Sequence, residues 1–558
     1  MNLPEAYQAK MNTLLGEDYD NYILSFEHHI KQTLRANQLK TEPADLFRRF
    51  RSVRGEPGVS PVPWCRTGAY YPGEDRLSLH PYYQAGVYYL QEPSAMAPAA
   101  FLPVKPGDRV LDLCAAPGGK TTALGARLKG EGILIANDIS ISRCRALLKN
   151  IQMAGIPNVI VTCESPERLA EHFPAYFDKI LVDAPCSGEG MFRRDPAMIK
   201  AWSPEEVDRY SRLQKEILAS AALMLKPGGR ILYSTCTYSP EENEQTVETL
   251  LHDRQFRLEP LPIYEGLDEG HPEWSISRDP SLACCRRFWN HRVEGEGQFA
   301  ALLVKADSGT EGKNICLSAG RDEEIGISGD RKLTESEKEY SRNSKRLKGH
   351  KRDKSDIKQN SRRSRGSRSF SPAEEDDFIP EEFYAFFKHV NWISGSDFPE
   401  EAGRSQAEQC WESLKSRLHK VDDRIFLLPK ERPHMQGLRV VSSGLHLGTC
   451  KKKRFEPGQA LAMALKADQF DHVLSLAPED DRLLKYLRCE TIDLAGISDR
   501  VIRNGAAKVP GNIEPEGSGT RLPDGSWVLI CVDEFPLGWG KVMKGQVRNK
   551  YPAAWRRQ

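Results

Sequence analysis

Between Arg109 and Ser239, apolar runs of strand length alternate with helical segments, and each run ends in a loop of small, polar or thiol side chains. The runs predict strands at Val110–Cys114, Gly132–Asn137, Val159–Thr162, Asp178–Asp183 and Arg230–Ser234. Helices are predicted from Gly119 to Leu128, from a Ser140 cap to about Ala154, and from a Ser203-Pro-Glu-Glu206 capping box. The last carries Val207, Tyr210, Leu213, Ile217 and Ala221 on one stripe, and Pro227-Gly-Gly should end it. A second box, Ser239-Pro-Glu-Glu242, is expected to open another helix, and Gly297–Val304 a closing strand. Such alternation folds as a doubly wound α/β sheet with an antiparallel edge, and its ligands bind beyond the carboxyl ends of the strands.

The 558 residues exceed one compact domain. Residues 1–55 read as mixed, mainly helical, with Arg48, Arg49, Arg51 and Arg54 adding charge. An aromatic segment from His80 to Ser94 is expected to pack on the sheet. After Asp307 the chain turns to Ser, Lys, Arg and Glu, too polar to offset its ordering entropy. Short strands return beyond Phe378. The expected division is 1–95, an N-terminal region; 96–306, the α/β domain; 307–372, a charged disordered linker; and 373–558, a C-terminal α+β region. Two basic runs, Lys451–Arg454 and Lys541 to Arg557, the second interleaved with Trp539, Tyr551 and Trp555, suit phosphate contacts and base stacking.

Net charge is +1, so overall charge names no partner. Thirteen cysteines form no Cys-x-x-Cys pair and no zinc-finger spacing, which predicts no metal site and free thiols in a reducing compartment. The start lacks the pattern of a signal peptide, and no apolar run nears the ~20 residues of a membrane span. The expectation is a soluble, cytoplasmic monomer with no membrane partner.

The loop Cys114-Ala115-Ala116-Pro117-Gly118-Gly119-Lys120 joins a strand to a helix N-terminus, where small residues and free N–H groups admit an anionic ligand. A P-loop needs glycine at position 114, and the dinucleotide fingerprint is absent, which leaves S-adenosylmethionine. Asp138, ending the second strand, suits its ribose hydroxyls. Asp183-Ala-Pro-Cys186 and Cys236 end neighbouring strands, placing two thiols and a carboxylate beside the donor. Methylation of a pyrimidine at carbon five needs a thiolate to add at carbon six. Asp183 is expected to support the ring nitrogen. Spacing alone leaves open which thiol attacks.

Leu111 to Thr121, Asp183-Ala-Pro-Cys-Ser-Gly188 and Ser234-Thr-Cys-Thr-Tyr-Ser239 resemble the Nop/Sun family of RNA cytosine-C5 methyltransferases over residues 1 to about 305. Phe455-Glu-Pro and Pro536-Leu-Gly-Trp-Gly-Lys541 resemble its bacterial RsmF-type subgroup, which acts on small-subunit ribosomal RNA and carries a PUA-like tail. The resemblance implies a class I, Rossmann-like methyltransferase domain and S-adenosylmethionine at Cys114–Lys120. It makes Cys236 the nucleophile and gives Cys186 the release of product. The family's Asp after the third strand is replaced here: Ser165 takes that place by spacing, with Glu164 beside it as a substitute contact to the adenosine. The implied partner is ribosomal RNA or the small subunit. Transfer RNA as substrate and a non-catalytic role in ribosome assembly are the alternatives.

Overall fold

The computed structural model describes residues 2–50, 59–71, 76–252, 255–307, 379–391, 412–451, 454–494, 501–503 and 522–556. Apart from Asp307, the expected linker lies outside them, as do Arg51, Arg54, Lys452, Lys453 and Arg557 of the basic runs. Met1–Cys316 and Ser369–Gln558 belong to one compact unit.

The chain begins with α1 (Glu5–Leu15) and α2 (Tyr19–Leu24), followed by β1 (Gln32–Ala36), α3 (Pro43–Arg49), β2 (Ser60–Val62), β3 (Cys65–Tyr71), α4 (Pro81–Gln84) and β4 (Tyr88–Leu90). The strands make an antiparallel sheet ordered β2-β3-β1-β4. The mainly helical expectation for 1–55 fails at β1. That segment is hydrogen-bonded to β3 on one edge and β4 on the other, and it buries Thr33 to Ala36. Tertiary pairing overrides local preference there. The aromatic segment is buried, but its Tyr82 and Tyr88 enter a cluster with Leu34, Leu474, Val528 and Phe535 in place of the α/β sheet.

Next come α5 (Pro93–Phe101), β5 (Arg109–Asp112), α6 (Gly119–Leu128), β6 (Ile133–Asn137), α7 (Ile141–Ala154), β7 (Val159–Thr162), α8 (Pro166–His172) and β8 (Phe177–Asp183). They are followed by α9 (Pro196–Ala201), α10 (Pro204–Met224), β9 (Leu225–Thr235), α11 (Glu244–Leu251), β10 (Phe256–Glu259), β11 (Leu267–Glu269), β12 (Arg286–Phe288) and β13 (Gln298–Lys305). Strands β5 to β9 run parallel, and β13 closes antiparallel on β9 as the sequence pattern predicts. Alternation along each strand feeds two cores. Val110, Leu134, Val161, Leu181 and Leu232 enter one, while Leu111, Ile135, Ile160, Ile180 and Ile231 enter the other. Each such side chain contributes roughly 1.5–3 kcal/mol by leaving water. Strand β9 starts earlier than predicted, so Pro227-Gly-Gly lies inside it, and the helix before it ends at Met224.

Beyond the linker, β14 (Leu418–Val421), β15 (Arg424–Leu427), β17 (Leu445–Cys450) and β18 (Phe455–Pro457) form a four-stranded sheet, whereas β16 (Val440–Ser443) pairs antiparallel with β7 at the edge of the central sheet. The remaining strands, β19 (His472–Leu476), β20 (Ile492–Asp493), β21 (Val501–Arg503), β22 (Trp527–Val532), β23 (Phe535–Met543) and β24 (Gln546–Asn549), make a six-stranded sheet. Here the base-stacking expectation is corrected. Trp539, Tyr551 and Trp555 are buried in apolar clusters, so they pack the core. The free-thiol expectation also fails once: Cys284 is disulfide-bonded. No helix among the described residues is long and apolar enough to cross a membrane.

Candidate active site

The strand order around β5, with β6 on one side and β8 on the other, opens a crevice where Asp112 and Asp183 end their strands. The loop after Asp112 carries the predicted Cys114 to Lys120, and Gly118 takes φ +110°, which favours glycine. Helix α7 holds the loop from below: Arg143 Nη2 donates to Ala116 O at 2.6 Å and Asn150 Nδ2 to Pro117 O at 2.8 Å. The first N–H groups of α6 have no partner within the helix and face the loop. Asp112, missed in the sequence, is fully buried. Thr121 Oγ1 donates to its Oδ2 at 2.7 Å, its Oδ1 has no hydrogen-bond partner, and burial pushes its pKa up to about 7. An acid ending the first strand ahead of a glycine loop was the available signal. Cys114 beside it is held protonated by burial and by the surrounding carboxylates.

Asp138 is 2% exposed, yet both its oxygens are engaged. Oδ1 accepts from Ser140 N at 2.9 Å, and Oδ2 lies 3.2 Å from Arg143 Nη1. The Arg143 side chain is 56% exposed, so that pair is weakly held and exchangeable. At the third strand end, Ser165 caps α8, its Oγ accepting from Arg168 N at 3.3 Å. Glu164 Oε1 accepts from Arg439 N, just ahead of β16, at 2.5 Å. Both side chains proposed for the adenosine contact are thus engaged in holding backbone.

Strands β8 and β9 pair with Asp183 opposite Ser234, which brings the following loops together. Cys186 Sγ and Cys236 Sγ are 3.3 Å apart, both as free thiols. Asp183 accepts from Lys120 Nζ at 2.7 Å and from Ser234 Oγ at 2.8 Å. Burial alone would lower the Lys120 pKa, but the Asp183 carboxylate more than offsets it and holds the ammonium charged. Cys236 also acts electrostatically on that ammonium. The hydrogen bond to Cys236, then burial, drives the Cys186 pKa well up, so Cys186 keeps its proton within reach of the neighbouring sulfur.

The second capping box is corrected by the structure. Helix α11 starts at Glu244, and Ser239 and Glu242 of the box are buried. Ser239 Oγ donates to Glu189 Oε1 at 2.6 Å, a carboxylate that also receives Trp202 Nε1 and Tyr238 N. Glu242, wholly buried, accepts from Ser187 N at 3.0 Å, Ser187 Oγ at 2.5 Å and Gln214 Nε2 at 2.7 Å. It thereby clamps the residue that follows Cys186. Burial, reinforced by Glu189, raises its pKa to about 7. Gly190 N donates to Cys236 O at 2.9 Å and ties the other thiol loop to the same cluster.

Four families match in order along the chain. They are the N-terminal domain of 16S rRNA methyltransferase RsmF over residues 3–93, 16S rRNA methyltransferase RsmB/F over 99–304, the RsmF rRNA methyltransferase first C-terminal domain over 405–465, and the methyltransferase RsmF PUA domain over 512–557. Ribosomal RNA small subunit methyltransferase F of Escherichia fergusonii is 36% identical over 311 residues, which are 54% of this chain and 64% of that protein. The protein of the same name from Klebsiella pneumoniae is 38% identical over 268 residues, 47% of this chain and 56% of that one. Matches to these curated relatives therefore span less than two thirds of their length. A solved methyltransferase homolog from Pyrococcus horikoshii is 30% identical with a TM-score of 0.49, covering 54% of this chain and 95% of that one. A class I methyltransferase-like α/β domain thus lies between an N-terminal region and a PUA-like C-terminal domain, and by these matches the chain belongs to the RsmB/F family of methyltransferases.

Proposed function

We propose that this protein methylates carbon five of a cytidine in small-subunit ribosomal RNA, with S-adenosylmethionine as donor and Cys236 as nucleophile. The observation that carries the reading is the pair of free thiols 3.3 Å apart at neighbouring strand ends, beside the Lys120–Asp183 ion pair. The residues of the first loop fit the cofactor. The unpartnered Asp112 Oδ1, the N-terminus of α6 and the carboxylate of Asp138 supply an acceptor, an anion site and a ribose clamp. S-adenosylmethionine, when bound, supplies an electrophilic methyl group.

The chain's own groups account for the rest. A Cys236 thiolate adds to carbon six of the cytosine, and carbon five becomes enamine-like. The ring nitrogen then gains a proton; Lys120 is a donor for it through Asp183, which accepts on both oxygens in the free protein. Once carbon five has been methylated and has given its proton to water, the carbon–sulfur bond breaks, Cys236 leaves as thiolate, and the ring nitrogen returns its proton through Asp183. Cys186, protonated and in contact, returns a hydrogen bond to that departing sulfur.

Purified protein given labelled S-adenosylmethionine, small-subunit ribosomal RNA and transfer RNA is expected to place 5-methylcytidine at one ribosomal position, read by nucleotide-resolution mapping. Label in transfer RNA alone overturns the substrate. No label in either overturns the enzyme and leaves an assembly factor. The Asp138 clamp has its own test. Asp138→Ala is expected to weaken S-adenosylhomocysteine binding by calorimetry about 10- to 100-fold, the worth of one or two hydrogen bonds to a charged group.

A further inference from the structure

Away from the thiols, a cavity of about 40 Å³ lies where the N-terminal sheet packs on α5, α6 and α7. Roughly 10–15 Å³ accommodates one water, so the space suits three waters or one small tetrahedral oxyanion. Its walls include Arg35 of β1, Cys65 and Thr67 of β3, Tyr89 of β4, and Thr122 and Arg127 of α6, and no acidic residue lines it. Arg35 is 5% exposed. Its Nη2 donates to Thr122 Oγ1 at 2.7 Å, while its Nε–H is buried without an acceptor.

The ionisable groups that act on Arg35 are Cys65, Tyr89 and the second guanidinium, Arg127, with no carboxylate among them. Arg127 itself donates to the carbonyls of Ala99, Ala100 and Leu102, which satisfy its hydrogens but cancel no charge. Burial lowers the Arg35 pKa to about 10, which leaves it cationic at neutral pH. A buried cation without a counter-charge is a strongly unfavourable arrangement.

We propose that this cavity is a binding site for one small oxyanion of the phosphate class, held by Arg35. The site reaches the cofactor loop by two short routes. Thr122 Oγ1, which accepts from Arg35, donates to Gly119 O at 3.0 Å. The Tyr89 ring has the Arg35 guanidinium 5.7 Å from its centroid and packs against Gly119, where an added Cβ would sit 3.2 Å from it. An anion on Arg35 therefore steadies the first turn of α6.

Thermal unfolding of the whole chain, with inorganic phosphate titrated at constant ionic strength, tests the proposal. A saturable rise of about 2 °C at ten times the Kd is expected, and Arg35→Gln should remove it. Selenate soaked into crystals of the wild-type protein gives a second reading that needs no variant, with an anomalous peak expected within hydrogen-bond reach of Arg35. A cavity holding only ordered water under these conditions, or a phosphate response unchanged in Arg35→Gln, overturns the site. A short 5′-phosphorylated RNA added as competitor identifies the source. Loss of the selenate peak assigns the anion to nucleic acid, and its persistence to a free anion.

Discussion

Cys236→Ala is expected to reduce methyl transfer to cytidine by about 10,000-fold or more, the scale of losing a covalent nucleophile. Cys186→Ala should do something different: RNA stays attached to the protein, visible as a retarded band on a denaturing gel and absent from the double variant. The asymmetry follows from the hydrogen bond between the two sulfurs. Cys186 is the thiol whose proton is held, driven that way first by Cys236 and then by burial, and its sulfur lies 3.3 Å from that of Cys236. Without the Cys186 S–H, the adduct loses the donor that steadies the departing thiolate, so breakdown slows while attack remains possible. An adduct that forms in Cys236→Ala and not in Cys186→Ala would exchange the two roles.

The second large effect concerns Glu242 and is read in stability. Its pKa is raised to about 7 in the folded chain from the ordinary glutamate value of 4.5, so the native state holds the proton more tightly than the unfolded state. The stabilisation is complete below about pH 4.5 and is lost as pH rises through about 7, a swing on the order of 3 kcal/mol. Glu242→Gln keeps an acceptor for Ser187 and cannot ionise. Its unfolding midpoint should match wild type at pH 5 and exceed it at pH 8. Glu242→Ala should lie below wild type at both, because it leaves the Ser187 and Gln214 donors bare. Asp112 titrates in the same direction and is common to all three chains, so the difference isolates Glu242. A Glu242→Gln chain less stable than wild type at pH 8 would mean that the carboxylate is ionised and favourably paired.

Much of the site was legible because a parallel sheet leaves little freedom. Once the apolar runs of β5, β6, β8 and β9 are recognised, the loops at Cys114–Lys120, Asp138, Asp183–Cys186 and Cys236 must gather at one end of the sheet, and they do. What the sequence hid was decided by partners distant in the chain. Ser239-Pro-Glu-Glu242 carries the local signature of a helix start, but Ser187 and Gln214 offer the carboxylate buried donors, and those prevail. Trp539, Tyr551 and Trp555 alternate with basic residues in a way that suggests a stacking surface, yet strand pairing carries Trp539 into one apolar cluster and the turn after the last strand carries Tyr551 and Trp555 into another. Glu164 and Ser165 have the spacing of ligand contacts, and they also hold backbone, Glu164 accepting from Arg439 N ahead of β16 and Ser165 from Arg168 N of α8.

The pairing of β16 with β7 also bears on how the protein is made. Synthesis proceeds from the amino end, and domains generally fold as they emerge. Here the outermost strand of the central sheet belongs to Val440–Ser443, more than 270 residues after the β7 strand it covers. Until that stretch leaves the ribosome, β7 presents bare N–H and C=O groups along an open border, the kind of border that recruits foreign strands. The nascent chain therefore has to shield this margin through about half of its own translation.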